Sequence, residues 1–236
     1  FKIEEIEKKS GLDKVTSGNL DSNITYPYND ELSDVVNSLN TMILYLKKSN
    51  ELSESQNWLK DGINQLSNIL SNEKTLIELS NKAISFLSRY VDAGMGVVYI
   101  YEKEQQTLLL TGSYAFTVRN HLSNEYKIKE GIVGQVGYEK QTIVLKNIPR
   151  REKDISTGLI SEPPISTFTM PLLYENELCG VLELSTLEYF SQIKQDFLIQ
   201  ANKIIATMIN SLQQSEKVQR LLEITQMAQE ESEKKA

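Results

Sequence analysis

Apolar residues recur at alternating spacings of four and three along one stretch of this chain, as in a helix that packs lengthwise against another helix. The stretch consists of Leu32, Val36, Leu39, Ile43 and Leu46. After the polar residues 47–57, where Leu52 is the one apolar candidate, the spacing resumes, displaced by one position, with Leu59, Ile63, Leu66 and Leu70. No Pro or Gly interrupts residues 47–57. The sequence therefore predicts one long helix whose packing face changes phase in that segment.

Another helix is predicted to precede this one. Residues 1–16 carry apolar side chains at roughly helical spacing, and Ser17-Gly18-Asn19 ends the pattern. A connector over residues 20–29 contains Pro27, which disfavours a helix there. Asn29 or Asp30 can then cap the long helix, whose first turn is acidic.

From residue 90 onward the apolar period changes to the two-residue alternation of β-strands. Strands are predicted over residues 97–101, 108–114, 142–146, 166–174 and 178–185. Residues 131–136 suit a short helix, and residues 149–165 form a long loop with three prolines. A helix capped by Ser191 continues into a Gln- and Glu-rich tail. The fold class is therefore α+β, a mixed domain flanked by coiled-coil helices at both ends.

Long helices with apolar faces need a partner, and a parallel homodimer is the simplest way to bury those faces. A net charge of −7 argues against a nucleic acid or an anionic lipid surface as the partner. The apolar runs fall well short of the roughly 20 residues of a membrane span. Because the sequence begins with Phe1 rather than Met, we expect it to be a piece of a longer protein.

Catalytic and metal chemistry find little support in the sequence. A single cysteine, Cys179, and a single histidine, His121, cannot supply a disulfide or a structural zinc site of the usual His and Cys ligands. No nucleophile elbow accompanies His121. Cys179 has no cationic or histidine neighbour, so we expect a buried, inert thiol. Gly131 and Gly134 could bind an anion, but without a following Lys-Ser/Thr pair they favour a tight turn with close helix packing.

Polar residues alternate along two of the predicted strands. Glu183 interrupts an apolar run, and on a strand it faces opposite to its neighbours Leu182 and Leu184. Its face either meets solvent or lines a polar cavity. By the same alternation Thr167 and Thr169 form a polar pair on the preceding strand, while Tyr99 and Tyr114 add hydroxyl-bearing aromatic rings. These five residues are the candidate ligand-binding set.

Two regions resemble known signalling modules. The first fifty residues resemble a HAMP linker through Gly18-Asn19-Leu20, Ile24, Asp30-Glu31-Leu32 and Leu39-Asn40-Thr41-Met42, although Ser33 stands where a glycine usually follows. Residues 80–213 resemble a GAF domain through Tyr99-Ile-Tyr101, Gly131-Ile-Val-Gly-Gln-Val136, Met170-Pro171-Leu172-Leu173 and Cys179-Gly-Val-Leu-Glu-Leu184. Together with Gln56-Asn57-Trp58-Leu59-Lys60 and Leu221-Leu-Glu-Ile-Thr-Gln226, the chain looks like the HAMP–GAF region of membrane-bound sensor histidine kinases, often hybrid ones.

The resemblance implies four segments: a HAMP linker over residues 1–50, a connecting coiled-coil helix over 51–79, a GAF domain with an antiparallel sheet over 80–213, and a C-terminal coiled-coil helix over 214–236. The implied function is a non-catalytic, dimeric relay in the cytoplasmic portion of an inner-membrane receptor. It would pass conformational signals from a membrane helix to a kinase output that is missing from this chain.

Other functions stay open under the same resemblance. The GAF domain can itself be a sensor of a small metabolite, held between the sheet and the loop of residues 149–165. The chain can also be the input module of a chemoreceptor or of a cyclic-dinucleotide enzyme. No cofactor is expected: Cys179 is not placed like a bilin attachment site, and the cyclic-nucleotide signature of phosphodiesterase GAF domains is not visible.

Overall fold

The structure is a computed structural model that describes residues 18–21, 23–26, 28–116, 124–147, 155–156 and 161–235. The chain divides into two compact units, with the boundary between Lys60 and Asp61. Three expectations lie outside the described residues: the helix over residues 1–16, the surroundings of His121 and most of the loop over residues 149–165. Within the described part, none of the helices combines the length and the apolar character that crossing a membrane requires.

In the first unit, the connector packs along helix α1 (Glu31–Leu70). Ile24 of the connector is buried with Val36 and Ile43 of α1. The Asn40 side chain bonds both backbone groups of Ile24, accepting from its N–H and donating to its carbonyl, each at 2.9 Å. Asp30 caps α1 by accepting from the Leu32 N–H at 3.1 Å, which confirms the predicted start.

Helix α1 runs without a break through residues 47–57, as the sequence predicts. This segment is almost entirely exposed, and Leu52 retains 60% of its accessible surface. The connecting helix expected over residues 51–79 nevertheless ends at Leu70. Leu66 and Leu70, expected to face a second chain, are instead fully buried in the second unit. Residues 59–70 are therefore not a wholly free coiled-coil face.

A new helix, α2 (Leu76–Tyr90), begins after a short turn. Thr75 caps it by accepting from the Glu78 N–H, and the Glu78 carboxylate accepts from the Thr75 hydroxyl at 3.0 Å. The Thr75 hydroxyl thus satisfies one of the amides that a helix start leaves unbonded, and the Glu78 carboxylate holds that hydroxyl in place, so the chain can restart a helix here. The buried side of α2 includes Ala83, Ile84 and Leu87.

Six strands form one antiparallel sheet in the spatial order β3-β2-β1-β8-β7-β4. They are β1 (Met95–Glu102), β2 (Thr107–Tyr114), β3 (Glu125–Lys127), β4 (Ile143–Lys146), β7 (Ser166–Tyr174) and β8 (Glu177–Thr186). The short strands β5 (Ile155–Ser156) and β6 (Ser161–Glu162) pair separately inside the region expected to be a loop. All five strands predicted from the sequence are present.

The described part of the second unit contains two further helices. Helix α3 (Gly131–Glu139) packs with β3, β7 and β8, and the 44-residue α4 (Gln192–Lys235) packs on β7 and β8 with its N-terminal half. Gly134 lets α3 approach β3 closely, because a Cβ atom there would lie 2.2 Å from the Lys127 carbonyl oxygen. The glycines of this segment thus serve a tight turn and close packing, as expected. The two sheet faces consequently differ: α2 and α4 cover one, and α3 covers part of the other.

Candidate functional site

Two polar side chains come together in the middle of the sheet face on the α3 side. Thr169 of β7 lies opposite Glu183 of β8, and Glu183 lies opposite Val97 of β1. Directly opposite residues of antiparallel strands share a face. The Thr169 hydroxyl donates a 2.9 Å hydrogen bond to Glu183 Oε2. Thr169 is fully buried and Glu183 half-buried, so this carboxylate is only partly accessible to water.

A second polar pair lies next to the first along the same two strands. Thr167 is opposite Ser185, and their hydroxyl oxygens are 3.1 Å apart. Both residues are buried. Beside this pair, Ile155 of β5 packs against Gly94, whose N–H donates to the Ser185 carbonyl at 2.9 Å. The described part of the expected loop therefore contacts Gly94, which is bonded to the backbone of Ser185.

Tyr99 lies on this face as well, two residues along β1 from Val97. It is opposite Val181 and belongs to the apolar cluster beneath α3. Its ring meets that of Tyr126 edge-on at 5.3 Å, and the two side chains share a hydrogen bond. Burial, with further contributions from Tyr126 and Glu183, raises the pKa of the Tyr99 hydroxyl far above its ordinary value. This hydroxyl therefore stays protonated throughout the physiological range.

Tyr114 is the one member of the expected set that lies elsewhere, so the prediction that all five residues share a face is wrong for it. A β-bulge shifts the β1–β2 register between Val98 and Tyr99. Tyr99 is opposite Leu110, whereas Tyr114 is opposite Gly96 and so lies on the α2 side. There its ring is 5.9 Å from the Arg89 guanidinium carbon. An extra residue in one strand sends every later side chain to the other face.

The site also contains residues that the sequence did not single out. Ser113, opposite Val97, lies on this face, whereas simple alternation from the pair Tyr99–Leu110 would put it on the other face. Ser185 completes the pair with Thr167. Tyr126 comes from β3, which has only three residues. In the sequence, the alternation of charged and aromatic residues over 125–127 is the one feature that could have indicated this strand. Among the described residues, then, the face offers one carboxylate and several hydroxyl groups.

Such a face can hydrogen-bond a small polar ligand. Its carboxylate and hydroxyl groups can equally well hydrogen-bond to one another. No three His, Cys, Asp or Glu side chains of the described ranges lie close enough together to hold a metal ion. Cys179 is buried as expected, and burial raises the pKa of its thiol. A raised pKa leaves less thiolate and so less nucleophilic character.

Comparisons with known proteins bear on the second unit. A family model of the GAF domain matches residues 73–210. The expected antiparallel sheet with flanking helices over residues 80–213 is thus confirmed as a GAF-type fold, beginning a few residues earlier. No curated protein matches the sequence significantly.

Solved structures of the same fold share little sequence with this chain. The GAF domain of a phosphoenolpyruvate-protein phosphotransferase from Coxiella burnetii is 17% identical, with a TM-score of 0.58 over 69% of this chain and 98% of that one. The corresponding Acinetobacter domain is 17% identical, with a TM-score of 0.57 over 67% and 97%. Free methionine-R-sulfoxide reductase from Neisseria meningitidis, in complex with its substrate, is 15% identical, with a TM-score of 0.53 over 66% and 91%. At these identities the likeness concerns the fold alone.

Proposed function

Because this chain belongs to the GAF domain family, a signalling and sensory fold, we propose that it is a non-catalytic relay in a membrane-bound two-component receptor. In this proposal residues 1–50 form a HAMP linker on the cytoplasmic side of the inner membrane and receive a movement from a transmembrane helix. The GAF domain modulates that movement. Residues 214–236 pass it to a histidine kinase output, and the working unit is a parallel homodimer.

The continuity of α1 is the observation that carries this proposal. The helix has 40 residues, hence a length of about 60 Å, and it contains residues of both compact units. A helix without a break can transmit a rotation or a displacement applied at one end. A flexible linker would absorb the same movement.

The exposed segment of α1, residues 47–57, gives this helix a place where its packing can change. Apolar residues before and after it follow two faces that differ by one position in the heptad. Val36 and Ile43 are buried against the connector, and Leu66 and Leu70 are buried in the second unit. A change of packing is therefore confined to the exposed segment, where two packings of similar energy are expected. The competing interpretation is a pair of splayed, solvated helices that transmit nothing.

Changing the length of this segment in the full-length receptor separates the two interpretations. Deletion of one residue, or insertion of one to six, between Ser49 and Ser55 alters the heptad phase, and insertion of seven restores it. We expect kinase output to be locked on or off for the shifted phases and to return with seven residues. Output that ignores the phase of the insertion would overturn the relay.

A second function, sensing a small metabolite, is favoured by the half-buried Glu183 carboxylate and the hydroxyl pairs beside it. Buried polar groups of this kind can recognise a ligand as well as one another. Screening a metabolite library by thermal shift tests this, since a ligand at 100 times its Kd stabilises the fold by about 2.7 kcal/mol. The shift should disappear in Glu183→Gln and persist in Tyr114→Phe, because Tyr114 lies on the other face. If no compound of the library raises the melting temperature, the result would count against a metabolite-sensing function.

A further inference from the structure

Helix α4 lies on the sheet chiefly through apolar side chains. Its fully buried residues are Phe197, Leu198, Ala201, Ile205, Ala206 and Ile209. Near its first turn, Lys194 pairs with Asp92 at 2.8 Å. Apolar contacts have no preferred direction, so they fix the register of a helix less sharply than a bond between one donor and one acceptor.

Such a bond joins α4 to strand β7. The Nδ2 group of Asn202 donates to the Pro171 carbonyl oxygen at 2.7 Å. Strand β4 pairs with β7 only from Ser166 to Thr169, so Pro171 lies where β4 no longer accompanies β7. The other polar atom of the same amide, Asn202 Oδ1, is buried and has no hydrogen-bond partner among the described residues.

The carbonyl that holds α4 is close to the polar pairs of the candidate site. Thr169, which donates to Glu183, precedes Pro171 by two residues on the same strand. Two residues of a strand span about 7 Å. One short, hydrogen-bonded segment of β7 therefore carries both the bond to Glu183 and the bond to α4.

We propose that Asn202 is a positioning residue that sets the register of α4 on the sheet and couples this helix, through β7, to Glu183. The inference rests on the proposed function, because α4 is the helix that carries the signal out of the GAF domain. The unbonded Oδ1 atom makes the present register costly. A second register, in which that oxygen meets water or a donor, is consequently close in energy.

Amide hydrogen exchange on the whole chain tests the proposal. Asn202→Leu removes the bond to the Pro171 carbonyl and also removes the Oδ1 atom that has no partner. These two effects offset each other, so the free energy of global unfolding should change little. Exchange of the α4 amides over residues 199–210 should rise about fivefold, because the bond that holds the register is gone. Thr207→Val is the matched control, since the Thr207 hydroxyl bonds only within α4, to the Lys203 carbonyl.

A double-mutant cycle tests the coupling itself. Glu183→Gln should alter exchange in α4 of the parent chain and have no such effect in the Asn202→Leu background. If the leucine variant does not fold, Asn202→Ala removes the donor with a smaller side chain and should give the same loss of coupling. Additive effects, or an Asn202 variant that exchanges like Thr207→Val, would overturn the proposal. Neither outcome depends on the insertion experiment in α1, so the relay and this coupling can fail separately.

Discussion

The hydroxyl of Thr169 donates to the carboxylate of Glu183 across the β7–β8 pair, at 2.9 Å and in the interior of the sheet face. A hydrogen bond to a charged group contributes about 1.5–3 kcal/mol, more than a bond between neutral groups. The pair is therefore both part of the fold and the best-defined polar feature of the candidate site.

Replacing Thr169 by Val should destabilise the domain by about 1–3 kcal/mol. The variant keeps the shape of the side chain but leaves the Glu183 oxygen without this donor. Urea unfolding gives the free energy. Thr225→Val, an exposed threonine that bonds within α4, is the control and should change it by less than about 0.5 kcal/mol. Equal effects of the two substitutions would contradict a structural contribution from the Thr169–Glu183 bond.

Stability should fall with rising pH in the alkaline range because of Tyr99. Burial raises the pKa of this hydroxyl, while the unfolded chain releases the same proton near the ordinary value of 10.0. Above that pH the unfolded state binds fewer protons than the folded state, so the free energy of unfolding decreases as the pH rises. Below it, the contribution of Tyr99 is constant.

Tyr99→Phe should remove this part of the alkaline decrease, which melting temperatures between about pH 8 and pH 12 would reveal. Tyr138→Phe is the control, because that ring is 53% exposed. Parallel curves for the parent chain and Tyr99→Phe would show that burial of Tyr99 does not govern the alkaline range.

Alternation along single strands predicted four of the five candidate residues correctly as neighbours on one face. It failed for Tyr114 because the β1–β2 register shift lies between the pair Gly96–Tyr114 and the pair Tyr99–Leu110. A bulge depends on how two strands pair, so counting along one strand does not reveal it. The same shift brings Ser113 onto the face of the candidate site.

The end of the connecting helix could have been found in the sequence. Thr75-Leu-Ile-Glu78 has the spacing of a capping box, which marks a helix start and hence a preceding break. The burial of Leu66 and Leu70 could not have been predicted from the sequence. Apolar residues spaced by three and four suit a partner helix and the core of the same chain equally well, and only tertiary packing decides between them.

Gly180→Ala should destabilise the domain by about 1–3 kcal/mol or more, because the added Cβ would lie 2.3 Å from the Tyr99 carbonyl oxygen. Gly137→Ala is a matched control. Its Cβ would approach only side-chain ends, at 3.2–3.3 Å, and alanine favours the helix. Chemical denaturation of both variants measures the difference. Similar losses for the two would mean that the β1–β8 pair can open to accept a methyl group.

The C-terminal half of α4 should hold two copies of the chain together. Its apolar side chains have between 55% and 72% of their surface exposed: Val218, Leu221, Leu222, Ile224 and Met227. Burying one leucine contributes about 1.5–3 kcal/mol, so replacing Leu221 and Leu222 by Glu should weaken dimerisation by at least about a hundredfold.

Sedimentation equilibrium over a range of concentrations measures this dimerisation. Gln214→Glu with Gln226→Glu adds the same two charges at exposed positions of the same helix and serves as the control. Because those glutamines offer little apolar surface, the control should associate much like the parent chain. If the control weakens association as strongly as the leucine variant does, added charge rather than apolar burial would be the cause. A parent chain that stays monomeric at high micromolar concentration, with its helices intact, would remove the dimer from the proposed relay.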